Sequence, residues 1–341
     1  MSSRPVALEQ VTAASVRTGA AERVIVPRRP ARRRSLRRYG VVALFLSPWI
    51  VGFFAFIVYP MFASLYYSFT NYDLLSAPRF VGLENYTFMF TKDPQFWQAM
   101  RNTLWIIAVG LPLEITFAML TATLLMRPRR GHRVYRTVYF LPTLAPPVAA
   151  ALAFVFILNP SFGPVNQILK GLGVDHPPLW FFDPSTSKWG LVFLGLWGVG
   201  QTMIIFLAGL LDVPAHLYEA ADIEGASRWQ RFRYVTLPMM SPVIFFSLVI
   251  GVIYGFQYFT QAYVASFAVA GSAQSSAAVN VGSPQGSLLF YSLYLYVKGF
   301  SNFRMGYASA MAWVLFLITM ACTAILIKTS RRWVHYQGGF R

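Results

Sequence analysis

Six long apolar runs, at 41–63, 103–126, 134–158, 189–211, 241–264 and 306–328, constrain this chain more than any other feature. Each is close to the ~20 residues that a helix needs to cross ~30 Å of hydrocarbon. Lipid offers a backbone no hydrogen-bond partners, so runs of this kind are expected to be helices. Composition agrees: 56% of the 341 residues are hydrophobic and 12% are charged, where soluble domains are about a quarter charged. The expected fold is an all-α integral membrane protein with about six transmembrane helices. Pro48 and Pro60 fall in the first run, Pro112 in the second, and Pro142, Pro146 and Pro147 in the third. Membrane helices tolerate proline where neighbours satisfy the freed carbonyls, and a kink is predicted near Pro142–Pro147. The first run is too long for a signal-peptide core and is expected to be retained.

Charge placement predicts the orientation. Residues 1–39 read as a basic, disordered terminus that ends in Arg28, Arg29, Arg32, Arg33, Arg34, Arg37 and Arg38. With that terminus inside, the segments 1–40, 127–136, 212–240 and 328–341 carry 22 lysines and arginines. The outer segments 64–102, 159–188 and 265–305 carry seven: Arg79, Lys92, Arg101, Lys170, Lys188, Lys298 and Arg304. The positive-inside rule then places both termini in the cytoplasm. Most of the net charge of +17 is this asymmetry, so the partner it implies is membrane lipid and not nucleic acid. The domain division expected is the terminus 1–39, a membrane domain 40–328 and a cytoplasmic tail 329–341. The lone Cys322 allows no intrachain disulfide. Among the outer loops, Asn71-Tyr72-Asp73 reads as a turn, a short helix is expected around Val165–Leu172, and the Ala/Ser/Gly-rich stretch 265–287 is expected to be mobile.

The cytoplasmic loop 212–240 carries the densest local signal. Pro214 suits the first turn of a helix. Ala220 and Ala221 favour helix and let another surface approach the backbone closely. Gly225 permits a sharp turn, Ser227 can cap a second short helix, and Leu237-Pro238 is expected to end it before the fifth span. The order Glu219-Ala220-Ala221, three residues, Gly225, nine residues, Val235, one residue, Leu237-Pro238 resembles the EAA loop of binding-protein-dependent ATP-binding cassette permeases. Further segments are similar to the carbohydrate-uptake branch of that family, the maltose and glycerol-3-phosphate permease type. They are Phe80-Val81-Gly82-Leu83-Glu84-Asn85-Tyr86, Arg101-Asn102-Thr103, Gly163-Pro164-Val165-Asn166, Phe206-Leu207-Ala208-Gly209-Leu210 and Gly306-Tyr307-Ala308-Ser309-Ala310. The likeness spans residues 45–328. Two departures are Glu224, where the family has aspartate before the motif glycine, and Gly282-Ser283-Pro284 in place of a compact Gly-Gly-Pro.

The resemblance implies the permease subunit of an ATP-driven importer for a sugar or oligosaccharide, in a bacterial-type inner membrane, working by alternating access. A cargo such as glycerol-3-phosphate or another polar solute is the alternative within that type. Glu219, Ala220, Ala221 and Gly225 would form a coupling helix between the fourth and fifth spans, with Leu237 and Pro238 at its exit. The implied partners are a second homologous permease, an ATPase dimer and an extracytoplasmic solute-binding protein. ATP and Mg would be held by the ATPase, and this chain is expected to bind no cofactor or metal and to be no enzyme. The sequence agrees on one point: no lysine follows a glycine, so a phosphate-binding G-x-x-x-x-G-K-[ST] loop cannot exist here. His132, His176, His216 and His335 lack metal-ligand spacing. A self-contained secondary carrier would need an internal repeat or several ionisable groups at mid-membrane, and Glu114 is the only acidic residue well inside a span.

For the substrate path the candidates are Tyr254, Gln257 and Tyr258, spaced for one helix face, then Glu114, and more weakly Trp197, Gln201 and Asn102. Rings stack on the C–H faces of sugars and amides bond hydroxyls. The same stripe also suits plain packing between helices, and Glu114 also suits a brace across the Pro112 bend.

Overall fold

The computed structural model describes residues 31–126, 131–272 and 282–335. Residues through Tyr59 form one unit and those from Pro60 onward a second, which holds the packed core. The first unit is helical from Ala31. The expected disorder of 1–39 therefore does not extend to 31–39, where Leu36 and the arginines are good helix formers; residues 1–30 lie outside the described residues.

Among the described residues four helices are long and apolar enough to cross a membrane: α1 (Val42–Ser68), α2 (Pro94–Met126), α8 (Arg228–Phe256) and α11 (Met305–Ser330). Two bent pairs bring the number to six when each pair counts as one span. They are α3 (Arg133–Leu144) with α4 (Pro147–Ile157), bent by 99°, and α5 (Ser187–Trp197) with α6 (Gly200–Leu211), bent by 50°. The first bend has a local cause. A residue before proline is pushed out of the helical region, and Ala145 and Pro146 both precede a proline and both take extended backbone, with ψ of 133° and 132°. The bend at Gly198–Val199 has no such signal in the sequence.

Proline elsewhere leaves the helices intact. Pro60, Pro112 and Pro238 each follow a five-residue π turn, at Phe54–Val58, Ile106–Gly110 and Phe232–Thr236. In each, the N–H just before the proline bonds a carbonyl five residues back. A proline ring crowds the carbonyl four residues back, and widening the turn by one residue relieves that clash. Leu237-Pro238 thus does not end a short helix as expected. One helix, α8, runs from Arg228 through Pro238 to Phe256. The fifth span closes at Phe256, short of the predicted 264, and a new helix, α9 (Thr260–Ser272), follows the break at 257–259.

The second span begins nine residues before its apolar run, because Asp93 caps it and Pro94 occupies its first turn. At this end of the bundle the stretch 265–287 is held in place where it is described, contrary to expectation. Ala262, Ala265, Ser266 and Val269 of α9 are buried. The Gly282 N–H donates to Ser266 Oγ at 2.6 Å, and Ser187 and Ser287 join through their hydroxyls at 2.7 Å. Residues 273–281 lie outside the described residues. A short hairpin, β1 (Thr70–Asn71) with β2 (Arg79–Phe80), encloses the turn predicted at Asn71-Tyr72-Asp73. The short helix expected around Val165–Leu172 is Pro164–Gly171.

Two cores matter for the site. One joins Ala118, Met119 and Ala122 of α2 with Met203, Phe206 and Leu207 of α6 and Met240 of α8. The other joins Ile106 of α2, Leu191 and Val192 of α5, Ala262 and Ala265 of α9, and Phe290.

Candidate functional site

Between those cores α2, α5, α6, α8 and the start of α9 leave a cavity of about 520 Å³. Its wall includes Glu114, Gln201, Thr202, Ser247, Tyr254, Gln257 and Tyr258. The approach of α8 to α2 rests on Gly251 and Gly255, four residues apart. A Cβ on Gly251 would lie 2.2 Å from the Leu111 side chain, and one on Gly255 2.5 Å from Ile107. Small residues at this spacing let membrane helices meet backbone to side chain, and here they set the width of the cavity on that side.

Five of the seven predicted path residues, Glu114, Gln201, Tyr254, Gln257 and Tyr258, lie on this wall. The expected continuous helical stripe is only partly right. The helix ends at Phe256, Gln257 closes it with an N–H to the Tyr254 carbonyl at 3.1 Å, and Tyr258 belongs to the break. Tyr254 and Gln257 are exposed, while the Tyr258 ring packs edge-on against Phe290 at 5.3 Å. Glu114 faces the cavity, and its Oε1 accepts a long bond from Thr202 Oγ1 of α6 at 3.4 Å, not a bond across the Pro112 bend of its own helix. Trp197 lies outside the lining and packs against Phe154. Thr202, Ser247 and Gln261 line the cavity and went unmarked in the sequence, since single hydroxyls and amides in apolar runs carry no motif.

Asn102 belongs to a different arrangement. It is buried, donates through Nδ2 to the Gly286 and Leu289 carbonyls at 2.8 and 2.9 Å, and accepts from Lys188 Nζ at 3.2 Å. It straps the 282–290 loop to α2 and does not reach a path. Asp93, unmarked in the sequence, is the neighbouring hub. Its Oδ1 accepts from the Gln95 and Phe96 N–H groups, and its Oδ2 from the Tyr294 and Tyr307 hydroxyls at 2.5 and 2.6 Å. Lys298 sits 4.9 Å from the Tyr294 ring and Arg304 5.1 Å from the Tyr307 ring. Burial, with the Asp93 carboxylate beside it, pushes the Tyr294 hydroxyl well above its ordinary value, so it stays a donor. A single buried carboxylate thereby ties α2, α10 (Tyr291–Tyr296) and α11 together.

At the other end of α8 lies the 212–240 segment. Helix α7 (Ala215–Ile223) starts after Pro214, which is its N-cap, one position before the expected first turn. Gly225 turns the chain with φ of +74°, a conformation that L side chains rarely adopt, and open space surrounds it. Ser227 and Gln230 then form a reciprocal capping box that starts α8. Arg231 pairs with Asp222 across the turn, and Tyr218 shares a hydrogen bond with Thr236 at 3.1 Å. Glu219, Ala220 and Gly225 are exposed, Ala221 and Pro238 are half-buried, and Leu237 is at the margin of exposure. Ile223 and Trp229, 88% and 67% exposed, put an apolar surface beside the motif.

Residues 114–335, which include most of the cavity wall and the whole of this segment, match the family described as binding-protein-dependent transport system inner membrane component. The chain belongs to this family. The permease is 42% identical over 306 residues to the probable ABC transporter permease protein YesP of Bacillus subtilis (strain 168), covering 89% of this chain and 95% of YesP. It is 32% identical to the lactose transport system permease protein LacF of Rhizobium radiobacter, covering 88% and 97%. Its fold matches a crystal structure of a bacterial ABC transporter involved in the import of the acidic polysaccharide alginate. The TM-score is 0.72 at 23% identity, over 89% of this chain and 99% of the other. The permease is thus a membrane-spanning transport subunit with an ABC-permease fold.

Proposed function

We propose that this permease forms part of the translocation path of an ATP-driven importer for a sugar or oligosaccharide, with the cavity as the place where cargo rests in the membrane. Relatives that carry sugar-transport names support the cargo class. The wall supports it chemically: the Tyr254 ring offers a stacking face, Gln201 and Gln257 offer amides, and Glu114 offers oxygens that accept hydrogen bonds from hydroxyls.

The observation that carries the mechanism is the continuity of α8. One helix starts at the turn beside Gly225 and ends on the cavity wall at Tyr254 and Gly255. At 1.5 Å per residue the 26 steps from Arg228 to Tyr254 span about 39 Å. A displacement of the 212–240 segment therefore reaches the cavity through a rigid rod. In this reading the segment is a coupling helix at the cytoplasmic face, built from Glu219, Ala220, Ala221 and Gly225 with Leu237 and Pro238 in the rod's first turns. It docks on a separate ATPase dimer that holds ATP and Mg. A second homologous permease completes the path, and a solute-binding protein delivers cargo at the opposite, outer face. Both termini are cytoplasmic and the membrane is the bacterial inner membrane.

Isolation of the permease from its native membrane in mild detergent tests the reading. The expected result is co-purification of an ATPase, a second permease and, when ligand is added, a solute-binding protein. A permease that transports in proteoliposomes with no ATPase present would overturn it.

A further inference from the structure

Resting on that use of the cavity, we infer that the permease takes an uncharged saccharide and rejects one that carries a carboxylate, sulfonate or phosphate. A permease of the same fold serves an acidic polysaccharide, so the fold does not set the charge of the cargo. The wall of the cavity does. Among the described residues Glu114 is the only acidic one on it, and no lysine, arginine or histidine lines it. Among the described residues Lys188 stands near the outer ends of α2 and α5, but it is not on the wall. It donates to Asn102 Oδ1 and lies 5.1 Å from the Trp105 ring centre.

An anion that leaves water for this cavity gives up hydration that a cation or several well-aimed donors must replace. This wall offers donors on amides and hydroxyls and no cation among the described residues, and the carboxyl of Glu114, when ionised, adds a like charge. A polyol meets the opposite situation. Its hydroxyls donate to the Glu114 oxygens and exchange bonds in both directions with the Gln201 and Gln257 amides. Ser247 is suggestive in the same sense, because its hydroxyl on the lining has no hydrogen-bond partner among the described residues. A buried hydroxyl is usually paired, and a ligand hydroxyl would supply the partner.

The complete importer in lipid nanodiscs, without its solute-binding protein, provides the test. Binding of lactose and maltotriose is compared by calorimetry with binding of digalacturonate and trigalacturonate, in the unaltered complex and in Glu114→Gln and Gln201→Trp. A neutral probe is expected to bind about 10- to 100-fold more tightly than its anionic counterpart, the range for like charges ~6–10 Å apart at an effective dielectric near 20. Glu114→Gln should narrow that ratio, and Gln201→Trp, which sets an indole ring into the cavity, should abolish binding of the neutral probe. Equal or tighter binding of the galacturonates, abolished by Gln201→Trp, would overturn the charge rule and leave the cavity as the path. Neutral binding that survives Gln201→Trp, or no neutral binding at all, would overturn the cavity reading itself.

Discussion

Asp93 offers the most quantitative test of how this permease holds one end of its bundle together. Its carboxylate is 5% exposed and accepts four hydrogen bonds, two from backbone N–H groups of α2 and two from tyrosine hydroxyls on α10 and α11. Asp93→Ala removes the helix cap, at about 1 kcal/mol. It also leaves two hydroxyls without an acceptor on residues only 2% exposed, at about 1–3 kcal/mol each. The expected loss is about 3–7 kcal/mol, seen as a fall of at least ~6 °C in the thermal midpoint of the detergent-solubilised permease at ~2–4 °C per kcal/mol. Asp93→Asn keeps the cap through Oδ1 but sets an N–H donor where both hydroxyls need an acceptor, so it should recover only the cap's share, about 1 kcal/mol, of that loss. The decisive variant is Asp93→Ala combined with Tyr294→Phe and Tyr307→Phe. With the orphaned hydroxyls gone, it should be more stable than Asp93→Ala alone, despite carrying three changes. If the triple variant is less stable than Asp93→Ala by the sum of the two tyrosine effects, the hub does not exist as described.

Other expectations follow from the same geometry. Gly225→Leu forces a side chain into a left-handed turn; uptake and transport-linked ATP hydrolysis should fall at least tenfold while the amount of permease in the membrane stays unchanged, as read by immunoblot and vesicle uptake. Gly251→Val should collide with Leu111 and abolish uptake, and Leu111→Ala in the same chain should restore part of it; no rescue would place the fault elsewhere. Asn102→Ala frees the Gly286 and Leu289 carbonyls, so hydrogen exchange should rise by an order of magnitude or more in 282–291, with little change in 212–240. Asp222→Asn breaks an exposed ion pair, and should cost less than about 1 kcal/mol of stability by thermal midpoint.

The parts legible in the sequence are those written locally. A membrane span is about twenty apolar neighbours, and the 212–240 segment is an ordered list of residue types within one stretch, from Glu219 to Pro238. Proline chemistry was half legible. The bend at Pro142–Pro147 follows from adjacent prolines alone, whereas the π turns that carry α2 and α8 past Pro112 and Pro238 depend on helices long and packed enough to keep going. The start of α2 was hidden because Gln95, Gln98, Arg101 and Asn102 lower the local hydropathy. Its true signal is one capping aspartate.

The cavity and the hub were decided only in three dimensions. Glu114, Gln201 and Tyr254 look like isolated polar residues in three apolar runs, and only the packing of α8 on α2 through Gly251 and Gly255 brings them to one wall. Trp197, ranked with Gln201 among the weaker candidates, is turned away from that wall. Asp93 meets partners 201 and 214 residues farther along the chain, and Asn102 holds a loop 184 residues away. Short-range periodicity and spacing fixed which segments cross the membrane and which one resembles a coupling element. Which polar groups face a cargo and which merely brace the frame depends on long-range contacts, because a buried donor or acceptor takes whatever partner the tertiary packing puts within reach.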